Sequence, residues 1–116
     1  MKYSLFIGRW QPFHDGHMWL INERLKKGNN VCIAIRDIEK DKNNPYSPKQ
    51  VKKNINFELK ELIKKGKIKV IIIPDIESVN YGRGVGYEII EHHPPRTIMN
   101  ISATEIRKKL RESGEL

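Results

Sequence analysis

Three short apolar runs, Leu5-Phe6-Ile7, Val31-Cys32-Ile33-Ala34-Ile35 and Ile68 to Ile73, punctuate the first two thirds of this chain, and amphipathic helical patterns separate them. A strand that is apolar on both faces lacks the in–out alternation of a solvated sheet and belongs in a covered, parallel one. Parallel neighbours cannot be joined by a tight turn, so each gap must hold a crossover helix. The pattern predicts strands over Lys2 to Ile7, Val31 to Ile35 and Ile68 to Ile73, and a fourth over Thr97 to Ile101.

The helices between them carry their own signals. His17 to Lys27 places Met18, Ile21 and Leu25 on one face and stops at Gly28-Asn29. Ser47 reads as an N-cap, Pro48 as the first helical residue and Gln50 as the reciprocal partner of a capping box. Val51, Ile55, Leu59, Leu62 and Ile63 then recur at helical spacing up to Lys65-Gly66. A second box, Ser102-Ala103-Thr104-Glu105, opens a last helix with Ala103, Ile106 and Leu110 inward. With right-handed crossovers, this order predicts one α/β domain over 1–116: a Rossmann-like, doubly wound parallel sheet with helices on both faces.

The chemistry concentrates in Gly8-Arg9-Trp10-Gln11-Pro12-Phe13-His14-Asp15-Gly16-His17, between the first strand and the first helix. A strand that breaks at a glycine and turns into a helix leaves backbone N–H groups free to hold an anion. Gly16 lets a ligand approach the backbone, and Pro12 stiffens the turn. Ser102 to Thr104 supplies a second helix N-terminus, and Arg107 lies one turn further on. Two such N-termini at the carboxyl ends of parallel strands can converge on one polyphosphate.

Other features constrain function by what they lack. The net charge of +8 fits either a nucleic-acid surface or a basic face around a site for small anions. The lysines between Lys49 and Lys69 are interrupted by Glu58 and Glu61 and interleaved with one aromatic residue, Phe57, which favours the second reading. Gly82-Arg83-Gly84-Val85-Gly86 lacks the glycine spacing of a dinucleotide fingerprint. It reads either as a plain loop before a short element at Tyr87 to Glu91 or as a ligand-contacting loop with Arg83 as its anion binder. His92-His93-Pro94-Pro95 has no cysteines or acidic cluster to complete a metal site, and His14 and His17 have no third ligand. Cys32 sits in an apolar run as a small core residue. No apolar stretch approaches the ~20 residues of a membrane span, and the start of the chain lacks a signal-peptide layout. The expectation is a cytoplasmic protein with no membrane partner.

The first motif, together with Ile101-Ser102-Ala103-Thr104-Glu105-Ile106-Arg107, resembles the nucleotidyltransferase superfamily, which carries an H-x-G-H turn and an I-S-x-T-x-x-R helix start. Arg9-Trp10-Gln11-Pro12-Phe13 and Asn44-Pro45-Tyr46-Ser47 look most like archaeal-type nicotinamide mononucleotide adenylyltransferases. Trp10 stands where that group usually has phenylalanine and Ala103 where it tends to have glycine. Arg96-Thr97 before Ile101-Ser102 is similar to a cytidylyltransferase signature with one extra residue.

The resemblance implies transfer of a nucleoside monophosphate, AMP from ATP or alternatively CMP from CTP, to a small phosphorylated acceptor with release of pyrophosphate. It assigns catalysis to His14, His17 and Arg107, and nucleotide binding to Gly8, Arg9, Trp10, Gly16, Ser102, Ala103 and Thr104. Tyr46 and Arg83 are candidate acceptor or phosphate contacts. Magnesium is expected on the triphosphate rather than in a protein cage. Related enzymes commonly form homo-oligomers. The other readings are a nucleotide-binding protein without turnover and a basic nucleic-acid-binding protein.

Overall fold

The computed structural model describes residues 1–116. Its order is β1 (Tyr3–Gly8), α1 (Asp15–Leu25), β2 (Asn30–Asp37), α2 (Pro48–Glu58), α3 (Lys60–Lys64), β3 (Ile68–Pro74), α4 (Arg96–Met99) and α5 (Ala103–Glu112). The three strands form one parallel sheet in the order β1-β2-β3, with Ser4 opposite Val31 and Val31 opposite Ile68. This is the α/β, Rossmann-like arrangement that the apolar runs predict. No helix is long and apolar enough to cross a membrane.

Register decides which residues share a face. Val31, Ile33 and Ile35 of β2 and Ile68 and Val70 of β3 form the core with Ile21 of α1 and Val51 and Ile55 of α2. Both crossover helices therefore cover the same face, because two successive right-handed crossovers advance the same way across the sheet. Helices on both faces were expected; α1 and α2 do not supply the second layer. The opposite face carries Leu5, Ile7, Cys32, Ala34, Ile71 and Ile73. Cys32 is half-buried there, and burial raises its thiol pKa.

Three local expectations change. The helix predicted to run through Lys65 bends at Leu59 (φ −108°, ψ 21°). The amide of Leu59 still bonds Ile55 and its carbonyl still accepts from Ile63, so the ladder bends around the buried Leu59 without ending. Ser47 caps the amide of Gln50, but the Gln50 side chain donates forward to Asn54 Oδ1 at 2.6 Å, so the box is half formed. Thr97 to Ile101 is not a strand. Pro95 sets an extended N-cap (φ −64°, ψ 160°) and its carbonyl accepts from Ile98 and Met99, seeding the short helix α4. Only Ile98 and Ile101 have apolar side chains turned even partly inward there, so a strand would have had little to bury. β1 is consequently an edge strand. Likewise no regular element forms over Tyr87 to Glu91.

Ile33, at 0% exposure in the central strand, tests this core. We expect Ile33→Ala to cost about 2–5 kcal/mol in urea unfolding, and Phe57→Ala, on the outer side of α2, to stay within about 0.5 kcal/mol.

Candidate functional site

The turn after β1 is built around Trp10. Its backbone adopts φ 54°, unusual for a bulky residue, and its indole Nε1–H donates to the carbonyl of Ala34 at 3.0 Å. The ring lies over Gly8, where a Cβ would meet Cε2 of the indole at 2.9 Å. Gly8 is thus needed to seat Trp10. The indole is buried, which leaves the Trp10 backbone rather than its ring to face a ligand.

His14 and His17 cap one another. His14 is the N-cap of α1, and its Nδ1 accepts from the amides of Gly16 at 3.0 Å and His17 at 3.4 Å. In return, Nδ1 of His17 accepts from the amide of His14 at 3.2 Å. The rings stack with centroids 3.7 Å apart. Gly16 makes room for this: a Cβ there would lie 2.8 Å from Cε1 of His14. A nitrogen that accepts cannot hold the proton of a neutral imidazole, so each histidine carries it on Nε2. Burial lowers both pKa values, that of His17 to about 3 with a further push from His14. At neutral pH the pair is two uncharged Nε2–H donors at a helix N-terminus. Trp10 meets His17 edge-on at 4.7 Å and Phe13 lies 5.6 Å from it, holding the ring in place.

Three segments distant in sequence meet behind this pair. The buried Gln11 side chain donates to the carbonyl of Tyr46 at 2.8 Å and accepts from its amide at 3.0 Å. Arg107, only 4% exposed, donates to the Gln11 carbonyl at 2.7 Å and to Thr104 Oγ1 at 3.3 Å. Arg9 reaches Asn44 Oδ1 at 3.5 Å, and Arg111 donates to the carbonyl of Lys42. Burial, then the charges of Arg9 and Arg111, lower the Arg107 pKa, against the opposing pull of Asp41. Asp41 is held below the usual carboxylate range by hydrogen bonds from Asn44 and the amides of Asn43 and Asn44, with Arg9 adding to the effect. Arg9 and Arg111 thus lie near enough to Arg107 to act on its charge, with Asp41 opposing them, and the excess positive charge favours an anion.

Ser102 caps α5 by accepting from the amide of Glu105 at 3.4 Å, but the Glu105 side chain returns no bond, so this box too is half formed. Ile101, just before it, lies 3.7 Å from where a Gly16 Cβ would be, so the N-termini of α1 and α5 adjoin. Gly8, Arg9, Trp10, His14, Gly16, His17, Ser102, Ala103, Thr104 and Arg107 therefore fall into one region. Tyr46 belongs to it through its backbone, while its ring packs against the core. Arg83 is exposed in the segment between β3 and α4 and forms no hydrogen bond or ion pair. In the sequence Gln11 and Asn44 stand out only as parts of motifs, and Asp41 does not stand out at all. The available signal is a carboxamide between Trp10 and Pro12 in a turn and an Asp-x-x-Asn pair in a polar loop.

Residues 5–109 match the family model described as cytidylyltransferase-like. A nicotinamide-nucleotide adenylyltransferase from Methanolobus tindarius is 28% identical over 116 residues, all of this chain and 65% of that protein. One from Methanococcus aeolicus is 39% identical over 46 residues, 38% of this chain and 27% of that protein. A nicotinamide/nicotinic acid mononucleotide adenylyltransferase from Acinetobacter baylyi is 36% identical over 55 residues, 46% of this chain and 29% of that protein. The chain thus spans less than two thirds of the length of these relatives. The family match begins inside β1, takes in both helix N-termini and ends in α5, and so the chain belongs to the cytidylyltransferase-like family.

Proposed function

We propose that the chain transfers an adenylyl group from ATP to a small phosphorylated acceptor of the nicotinamide mononucleotide type, releasing pyrophosphate. The observation that carries this reading is the reciprocal cap of His14 and His17, which leaves both Nε2–H groups free beside an N-terminus that favours anions. An acceptor phosphate oxygen attacks the α-phosphorus, and the bond to the bridging oxygen breaks with its electron pair leaving on pyrophosphate. Charge gathers on the non-bridging oxygens during this exchange, so fixed donors aimed there stabilise the transition state more than the bound substrate.

In this reading the histidines act as neutral donors to the α-phosphate, and amides at the starts of α1 and α5 hold the phosphates. Arg9 and Arg107, with Arg111 behind them, supply the positive charge for the triphosphate tail. Arg107 has two of its donors committed to Gln11 and Thr104, which aims the remaining edge of the fork. No group of three His, Cys, Asp or Glu side chains gathers to form a cation cage. That donor set suits magnesium carried on phosphate oxygens and water, where the ion would neutralise phosphate charge. Small Ala103 at the start of α5 leaves room for a purine, and the relatives that support the adenylyl reading are named for adenylyl transfer.

Three outcomes are expected. His17→Ala lowers kcat by about 10²–10³ while ATP affinity in calorimetry stays within about tenfold; a near-normal kcat with only a raised KM would remove the histidine from the transition state. With ATP and CTP competing for nicotinamide mononucleotide, mass spectrometry finds the adenylyl product in at least about tenfold excess, some 1.4 kcal/mol of discrimination. Stability also carries the mark of the pair. Unfolded imidazoles take up protons near pH 6.5, whereas folded His17 resists until about 3. As pH falls through that window the unfolded state gains protons first, so stability drops by up to about 1.4 kcal/mol per pH unit. Urea unfolding followed from pH 7 to 4 shows this slope, and His17→Asn, which cannot titrate, makes it shallower.

A further inference from the structure

The polar loop after β2 holds a turn that the proposed reaction leaves unused. Asp41 and Asn44 exchange backbone hydrogen bonds, the amide of each donating to the carbonyl of the other, at 3.0 and 3.2 Å. One oxygen of the Asp41 carboxylate, Oδ1, accepts three more. Two come from the amides of Asn43 and Asn44 at 2.8 Å each, and one from the Asn44 side-chain Nδ2 at 2.9 Å. Asp41 is exposed, whereas Asn44 is buried. A buried carboxamide has a donor end and an acceptor end, and each needs a partner of the right kind.

A carboxylate only accepts, so Asp41 draws the NH2 end of the Asn44 side chain and turns its carbonyl end the other way. Oδ1 of Asn44 then faces Arg9 and accepts from its Nη1 at 3.5 Å, across 35 positions of sequence. No ion pair joins Asp41 to Arg9. The hydrogen bond from Asn44 is the largest cause of the lowered Asp41 pKa and the charge of Arg9 the smallest. Asp41 therefore reaches that guanidinium chiefly by geometry, through Asn44. Arg111 of α5 donates to the carbonyl of Lys42 inside the same turn, which ties the turn to α5 as well.

We infer that Asp41 is a positioning residue for triphosphate binding: by fixing the direction of the buried Asn44 carboxamide, it aims Arg9 at the phosphates. This rests on the role of Arg9 in the proposed function. Without an acceptor at position 41 the carboxamide is free to turn over and set Nδ2 against Arg9, donor against donor. The exposed guanidinium then keeps several rotamers instead of one, and binding must order it. Charge alone gives the opposite sign. Taking a carboxylate from the margin of an anion site raises the positive potential there and tightens binding. Asp41→Asn removes the charge but keeps an acceptor oxygen able to close the same turn, so it separates the two effects.

Calorimetry with inorganic tripolyphosphate on the 116-residue protein tests this without requiring turnover. Asp41→Ala should bind about fivefold to tenfold more weakly than the unmodified protein, and Asp41→Asn at least as tightly. In an Arg9→Ala background, Asp41→Ala should change the affinity by less than about twofold, because the group it aims is gone. Asp41 is exposed and lies in no helix or strand, so circular dichroism should be unchanged in each variant. Unchanged or tighter binding by Asp41→Ala overturns the inference, as does an equal loss in Asp41→Asn or a loss that persists without Arg9. So do an unfolded Asp41→Ala, which would make the residue one of stability, and the absence of measurable binding by the unmodified protein. Product formation from ATP and nicotinamide mononucleotide is followed separately. The expected binding pattern without product keeps the role of Asp41 and removes the adenylyl reading.

Discussion

Gln11 holds the site together. Its carboxamide is the right length to imitate a neighbouring backbone, giving an N–H to Tyr46 and taking one back. Its main-chain carbonyl meanwhile accepts the guanidinium of Arg107. One residue thereby ties the turn after β1 to the loop after β2 and to α5, elements 35 and 96 positions away in sequence. A buried amide or guanidinium with no partner is costly, whereas no buried polar atom of these is left unpartnered, so each segment is fixed in one arrangement. The hydrogen bonds serve position more than net stability, since each replaces bonds to water.

On that frame the two histidines solve a capping problem and, in the proposed reaction, a chemical one with the same rings. A helix start must satisfy its first amides, normally with a serine, threonine or aspartate. Here imidazole nitrogens do it, and the price is a glycine between them, because the His14 ring needs the space of a side chain at position 16. Using Nδ1 for the cap fixes the tautomer and turns Nε2–H outward on both rings. Burial among Trp10 and Phe13 keeps them uncharged. H-x-G-H is thus the spacing at which two imidazoles can cap one another across a single turn.

The legible parts of the sequence were those whose signals are local. The three apolar runs, the caps at Ser47 and Ser102 and the H-x-G-H turn each lie within a few residues, and each appears where expected. Thr97 to Ile101 misled because a five-residue run with two isoleucines fits a strand or a helical turn equally well, and Pro95 decided in favour of the helix. The helix start at Asp15 was hidden because histidine is a rare N-cap. The bond from Gln11 to Tyr46 and the burial of Arg107 left no periodic trace, since they depend on how distant segments meet. The face chosen by α2 depended on strand order, which apolar runs do not encode.

Charge and direction divide the work at the site in the proposed reaction. Arg9, Arg107 and Arg111 bring positive charge that an incoming triphosphate feels throughout binding, in the ground state as much as in the transition state. Such charge raises affinity and contributes little to the rate of the chemical step. Two cations at His14 and His17 would repel one another, and burial opposes them as well. Neutral donors escape that repulsion and act through orientation, strengthening as charge moves onto the oxygens they face. Turnover in that reading depends on the geometry of the histidine cap more than on its charge, which is why the aromatic wedge of the Trp10 and Phe13 rings against His17 belongs to the chemistry.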